Sequence, residues 1–429
     1  MALLRDALYD RVPLPRPVAA ILASEPFLRL QGVKQLGFVS RVWPSATHTR
    51  FEHSLGVYHL AERALAGLWE RGLLGGVSAE QIRALLAAAL LHDVGHYPFS
   101  HAIEELGPPV IPHEQIGRRL IEASSLAELL EREWRVSPGQ VADLVDPPRG
   151  APRPLLAGLL SGALDVDKMD YLPRDARACN VPYGRADVAR LLEALTIQPL
   201  PDGTPRLMVT HKGVGAVHSL ISARQEMFDN VYWHHTNRAC MAMLLRAVQD
   251  ALEAGGLAPE ELPRHDDASL LARLAEPAMP PSTRALVGGL RGRVLHRRAL
   301  EISPRAGAIS AWLDRLFFDP PRRKRAETAL GQALAEAIGL EIASHEVLLD
   351  IPKPERWEVD IWVYSARPAV GLEPLMSWLD ATGASAEQLA RYEQHQRRVR
   401  VVVSPRLREL AWARRDDVLL PTLRRLASG

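Results

Sequence analysis

Residues 84–96 read A-L-L-A-A-A-L-L-H-D-V-G-H. The first eight are apolar on every helical face, so the segment predicts a helix buried all round. It runs into His92 and Asp93, and a carboxylate beside a fully buried stretch is costly unless it is paired or holds a cation. His96 stands four residues after His92, which on a continued helix puts both rings on one face. Upstream, Ser78 opens the segment as S-A-E-Q, a capping box. The preceding helix opens the same way, Thr49 with Glu52 in T-R-F-E, carries His53, and is predicted to run to Arg71 and stop at Gly72.

Histidine is concentrated around this stretch. Seven of the 15 (His48, His53, His59, His92, His96, His101 and His113) fall between positions 48 and 113, where an even spread places about two. Such a cluster points to metal ligation or proton transfer. Downstream, D-V-D-K-M-D-Y at 165–171 offers Asp165, Asp167 and Asp170 after another apolar stretch. Asp170 reads as an i,i+4 partner of Arg174. Two imidazoles and two carboxylates make a mixed nitrogen and oxygen set, suited to Zn, Fe, Mn or Ni.

The rest of the chain sets bounds. Its 429 residues carry 52 Lys+Arg against 51 Asp+Glu, a formal charge of +1, which argues against a dedicated nucleic-acid binder. Two cysteines, Cys179 and Cys240, exclude a disulfide framework and fit a reducing, cytoplasmic setting. No apolar run is long enough to span a membrane, and no secretory signal is visible. Further helices are predicted at 114–133, 154–170, 185–195, 214–254, 268–275, 307–317 and 324–338, with Pro-rich loops at 108–112, 147–154 and 276–281. Strands are predicted at 194–198 and 206–210, as a hairpin, and at 346–351, 357–364 and 398–403. The expected architecture is mainly α: a helical core over 1–340, with the motif region at 48–180, and a small mixed α/β C-terminal lobe over 341–429. The basic runs at 322–325 and 397–400 read as solvated faces or anion sites.

These blocks together resemble the HD-domain phosphohydrolases. The likeness is carried by F-V-S-R-V-W-P-S-A-T-H-T-R-F-E-H-S-L-G-V at 38–57, L-L-H-D-V-G-H-Y-P-F-S-H-A-I-E-E at 90–105, H-E-Q at 113–115, D-V-D-K-M-D-Y-L-P-R-D at 165–175 and I-P-K-P-E-R-W-E-V-D-I at 351–361. More narrowly, they look like the branch that hydrolyses deoxynucleoside triphosphates (dNTPs) to deoxynucleoside and inorganic triphosphate. That resemblance implies a helical fold and a divalent metal (Mn, Fe, Mg, Zn or Ni) held by His53, His92, Asp93 and Asp167. It implies His101 as the acid that protonates the leaving 5′-oxygen, Glu104 as its orienting carboxylate, and His96 and His113 as cationic contacts to the α-phosphate. Arg50 and Lys168 match phosphate-binding positions, and Lys168 is one of only five lysines. Tyr171 and Asp175 match residues at the sugar 3′-hydroxyl, Gln35 and Leu36 positions beside the base, and Arg238 is a further phosphate candidate. His48 and His59 read as supporting or core residues. A homo-oligomer, dimer or tetramer, is implied.

The chain also departs from that pattern. Nucleotide-activated relatives show D-T-P-x-F-Q-R-L-R where residues 23–31 read A-S-E-P-F-L-R-L-Q. The acid, the glutamine and the final arginine are missing, so guanine-nucleotide activation of that kind is not expected, and neither is an N-terminal SAM domain. Three other readings stay open. The fold is compatible with hydrolysis of a nucleoside mono- or diphosphate, a modified or cyclic nucleotide or an alarmone. It is compatible with a di-iron oxygenase in which His96 and His113 complete a second site, and with a non-catalytic protein that binds nucleotides or nucleic acid.

Overall fold

A computed structural model of the chain describes residues 2–150, 154–353, 360–387 and 397–428. The two capping boxes form where the sequence puts them. Thr49 caps the Arg50–Glu70 helix and Ser78 caps the Ala79–Leu91 helix. The second of these is buried from Ala87 to Leu91 and packs against the first, which also packs against the Val166–Cys179 helix. Around these three lies one apolar cluster. A second cluster gathers on the His235–Glu253 helix, which pairs with Pro281–Gly292.

Among the described residues three small sheets complete the fold. β1 (Ala2–Asp6) and β2 (Asp10–Leu14) form an antiparallel hairpin. β3 (Leu195–Pro199) and β4 (Pro205–Thr210) form the expected second hairpin, and the sheet order continues through β7 (Trp362–Tyr364) and β8 (Leu375–Ser377). In the third sheet β9 (Val399–Val403) lies between β5 (Arg297–Ile302) and β6 (Val347–Asp350), antiparallel to both. Its apolar side faces the Ala308–Phe317 and Pro320–Ile338 helices. Hydrogen-bonded strands thus cross the division expected at residue 340 in two sheets. The third core begins near Ala299, with no break at 340.

Several expected elements differ in detail. The Ala79–Leu91 helix does not continue through His96. Residues 92–95 form a turn closed by Val94 and His96 amides on the carbonyls of Leu91 and Asp93. Gly95 is the reason the chain can pass there: a Cβ on it would lie 2.1 Å from the His113 carbonyl oxygen. The helix expected over 154–170 is a short 3-10 turn at Leu155–Leu159, followed by a fresh start at Val166 with Asp165 as its cap. The long segment 214–254 breaks after Met227 through a wide turn and restarts at His235. The segment 114–133 breaks at Ser124. β1, β2, β5 and β8 were not expected. Of the strand expected at 357–364, residues 357–359 lie outside the described residues, as do residues 354–359 of the I-P-K-P block.

Candidate metal-dependent active site

Two helices and a turn bring the four proposed metal ligands together. His53 comes from the first turn of the Arg50–Glu70 helix, His92 and Asp93 from the turn after Ala79–Leu91, and Asp167 from the start of Val166–Cys179. The Nε2 atoms of His53 and His92 are 3.3 Å apart. Asp167 Oδ1 lies 2.9 Å from His53 Nε2 and 3.7 Å from His92 Nε2. Asp93 Oδ1 lies 3.4 Å from His92 Nε2, and its Oδ2 lies 3.7 Å from His53 Nε2. Metal–ligand bonds of about 2.0–2.2 Å put neighbouring donor atoms about 3 Å apart, so His53, His92 and Asp93 could hold a divalent ion, with Asp167 beside both histidine nitrogens.

The far sides of both rings are already engaged. His53 Nδ1 bonds Asp170 Oδ2 at 2.8 Å and His92 Nδ1 bonds the Ala89 carbonyl at 3.0 Å. Each ring therefore presents Nε2 to the centre, the arrangement that fixes tautomer and orientation in metal-ligating histidines. Burial disfavours charge on His53, yet its hydrogen bonds to Asp167 and Asp170 outweigh this and lift its pKa to about 10. Asp170, expected as a structural partner of Arg174, does make that bidentate pair at 2.8 and 2.9 Å, and it also supports His53.

A second group of rings adjoins the first. Phe99 and Ser100 take successive left-handed conformations, φ 58° and 60°, held by the Asp267 carboxylate on the Phe99 amide. Two such non-glycine residues in a row are strained backbone, and they aim the following His101 into the cleft. His101 Nδ1 bonds Glu104 Oε2 at 2.9 Å. Oε1 of the same carboxylate binds His113 Nδ1 at 2.8 Å. Burial opposes charge on His113, but Glu104 outweighs it and raises the pKa. Glu104 itself is held far below the carboxylate range, its two histidine bonds overcoming its burial. His96 stacks on His113 at 3.7 Å. It is driven well below the ordinary imidazole pKa by burial and by the Arg50 and His113 charges. That environment favours the neutral ring, against the cationic contact that the resemblance implies for His96.

These groups open onto one cleft of about 610 Å³, with His53 just behind its wall. Gln35, Leu36, Arg50, Lys168, Tyr171, Asp175 and Arg238 all line it, so the structure brings every proposed substrate contact to the same cavity. Their charges are differently disposed from what a set of free phosphate contacts requires. Arg50 bonds Asp93 at 2.5 Å and Ser100 at 3.0 Å. Lys168 bonds Asp165 at 2.7 Å. Arg238 is buried between Asp350 at 2.7 Å and Glu105 at 3.1 Å, so its first role is to neutralise those carboxylates. Asp175 accepts from Tyr232 at 2.6 Å and pairs with His48 at 2.7 Å. Tyr171 stays a phenol, its pKa pushed up to about 12 by burial. The basic runs are likewise internally engaged. Lys324 pairs with Asp250 and Glu253, Arg397 with Asp314 and Arg400 with Asp350, and Arg323 is buried, while Arg325 is exposed, so each run is only in part a solvated face.

Comparison with known families matches residues 50–175 to the HD domain and residues 186–408, just over half of the chain, to the HD-associated region. The chain belongs to the HD-domain phosphohydrolase family. An uncharacterized protein of Methanocaldococcus jannaschii is 34% identical over 278 residues, 64% of this chain and 55% of that protein. Human deoxynucleoside triphosphate triphosphohydrolase SAMHD1 is 27% identical over 277 residues, 58% of this chain and 44% of its own. This chain thus spans about half the length of the curated relatives it matches. A crystal structure of a hypothetical protein from Aquifex aeolicus, 26% identical, superposes with a TM-score of 0.71 and covers 96% of this chain and 99% of that one. A phosphohydrolase from Bacteroides thetaiotaomicron, 22% identical, superposes at 0.68 over 94% and 100%, which speaks for the fold.

The sequence left three features of this HD phosphohydrolase unread. Asp170 supports a ligand, Glu104 serves two histidines, and Glu105 and Asp350 occupy Arg238. The first was visible only as an i,i+4 pair, and the last joins residues more than a hundred positions apart. Among the described residues no helix is long and apolar enough to cross a membrane.

Proposed function

We propose that this HD phosphohydrolase hydrolyses dNTPs to deoxynucleoside and inorganic triphosphate, with attack at the α-phosphate. The observation that carries the reading is the adjacency of the His101–Glu104 pair to the His53–His92–Asp93–Asp167 set, in a cleft that also presents Tyr171 and Gln35. A divalent ion held by that set supplies Lewis acidity toward a phosphoryl oxygen and lowers the pKa of a bound water. His101, tethered through Nδ1, keeps its other ring nitrogen for the leaving 5′-oxygen and gives it a proton. His113, kept cationic by Glu104, offsets charge growing on the phosphoryl oxygens. Gln35 Oε1 is buried with no hydrogen-bond partner, which suits it to accept from a nucleoside hydroxyl or base. The reading draws further support from the names of the human and Dictyostelium discoideum relatives, both dNTP triphosphohydrolases or homologues of one.

The test is product analysis after incubating metal-replete protein with each dNTP, singly and as a mixture. Intact triphosphate plus deoxynucleoside is the expected result. Absence of triphosphate with Mn, Mg and Fe alike would overturn the substrate assignment and move the search to other phosphorylated nucleotides.

A further inference from the structure

The N-terminal hairpin ends in a turn whose side chains reach the back of the metal set. Asp6 Oδ1 accepts the backbone N–H groups of Leu8 and Tyr9, at 2.7 and 3.1 Å, and so closes the turn. Its other oxygen takes Arg174 Nη1 at 2.9 Å. The Tyr9 hydroxyl donates a hydrogen bond to Asp170 Oδ1 at 2.7 Å, across 161 residues of chain. Asp170 is fully buried. Each of its oxygens then has two donors: Tyr9 and Arg174 Nη2 on Oδ1, Arg174 Nε and His53 Nδ1 on Oδ2. Gly56 completes the seat, since a Cβ there would sit 2.0 Å from Asp170 Oδ1.

We infer that the β1–β2 hairpin is the outer support of the metal centre, with Tyr9 and Asp6 as positioning residues for His53. This rests on the metal-dependent reading of the site. The carboxylate of Asp170 can turn about its Cβ–Cγ bond, and each further donor on its oxygens narrows that rotation. His53 Nδ1 follows that plane, and with it the direction in which Nε2 meets an ion. Arg174 alone secures two of the four positions, and Asp6 secures Arg174. The Tyr9 hydroxyl secures the third, on the oxygen that His53 does not use. Neither residue touches substrate or metal.

The experiment is metal binding by the full chain, using Mn2+ in competition with a fluorescent chelator and the visible absorption of bound Co2+. Tyr9→Phe removes one hydroxyl and keeps the ring against His59, where the centroids are 4.9 Å apart. Tyr58→Phe is the control: it sits on the same helix as His53 and loses a hydroxyl that bonds Glu62, with no route to the ligands. Tyr9→Phe is expected to weaken Mn2+ binding about tenfold and to shift the Co2+ bands, with Tyr58→Phe within about twofold of the parent. Parent-like affinity and spectrum in Tyr9→Phe would overturn the hairpin's role. So would equal losses in both variants alongside equal falls in unfolding temperature. A parent chain that binds neither ion overturns the metal reading and this inference with it, a result distinct from the other two.

Discussion

Glu104 is the carboxylate on which the proposed acid chemistry turns, and Glu104→Gln tests it with a change of one atom. The parent side chain accepts from His101 Nδ1 at 2.9 Å and from His113 Nδ1 at 2.8 Å, and also takes the His113 backbone N–H at 2.7 Å. A hydrogen bond to a charged group contributes about 1.5–3 kcal/mol. His101 is two-thirds exposed, so its bond is discounted to about 1 kcal/mol, whereas the buried His113 keeps about 2–3 kcal/mol. Together these give about 3–4 kcal/mol, or roughly 10²–10³-fold in kcat, within the usual reach of general acid catalysis. The pH profile moves as well. Glu104 raises the His113 pKa, so the active cationic form is complete at low pH and is lost as pH rises through that pKa. Without the carboxylate the alkaline limb of the profile shifts to lower pH. The assay is steady-state triphosphate release across pH, with bound metal measured in parallel. A variant within threefold of the parent, with its metal retained and its alkaline limb unmoved, would refute the reasoning.

Two further outcomes separate structural from binding roles. Arg238→Ala strands Glu105 in the interior and leaves Asp350 with Arg400 alone, so the expected effect is a loss of about 3–5 kcal/mol in denaturant unfolding. A rise in KM with unchanged stability would instead restore Arg238 as a simple phosphate contact. Glu346 opposes its own burial through Arg406 and Ser404, which hold its pKa down to about 2. Its contribution to stability is therefore present above the ordinary carboxylate value of about 4.5 and is lost as pH falls toward 2. Glu346→Gln should flatten that part of the stability curve, as followed by chemical unfolding between pH 5 and 2.

What was legible in the sequence was whatever depended on spacing along one element. The capping boxes at Thr49 and Ser78 formed because hydroxyl and N3 side chain are local partners. His92, Asp93 and Asp167 follow stretches too apolar to lie anywhere but inside, and His53 meets them from the first turn of the helix that Thr49 caps. What stayed hidden was set by neighbours distant in sequence. The helix stops at Leu91 because Gly95 must slide against the backbone of His113 and Gly117. Four strands went unread because three- to six-residue pieces such as Leu375–Ser377 carry little periodicity of their own and gain order only from a partner strand. The downward pull on the His96 pKa follows from its burial and from Arg50 and His113 packed beside it.

The central position of β9 has a bearing on how the molecule comes into being. β5 and β6 have no strand between them until residues 399–403 arrive, about a hundred positions after β5 and fifty after β6. Arg400 on that strand carries one of the two guanidinium groups that satisfy Asp350, the other being Arg238 at the cleft wall. During synthesis the four residues of the candidate metal set have all emerged by residue 167, well before β9. The wall opposite them waits for a closure of high contact order. The Arg400 counter-charge to Asp350, and through Asp350 the setting of Arg238 at the cleft wall, is therefore the part of the candidate site that the chain supplies last.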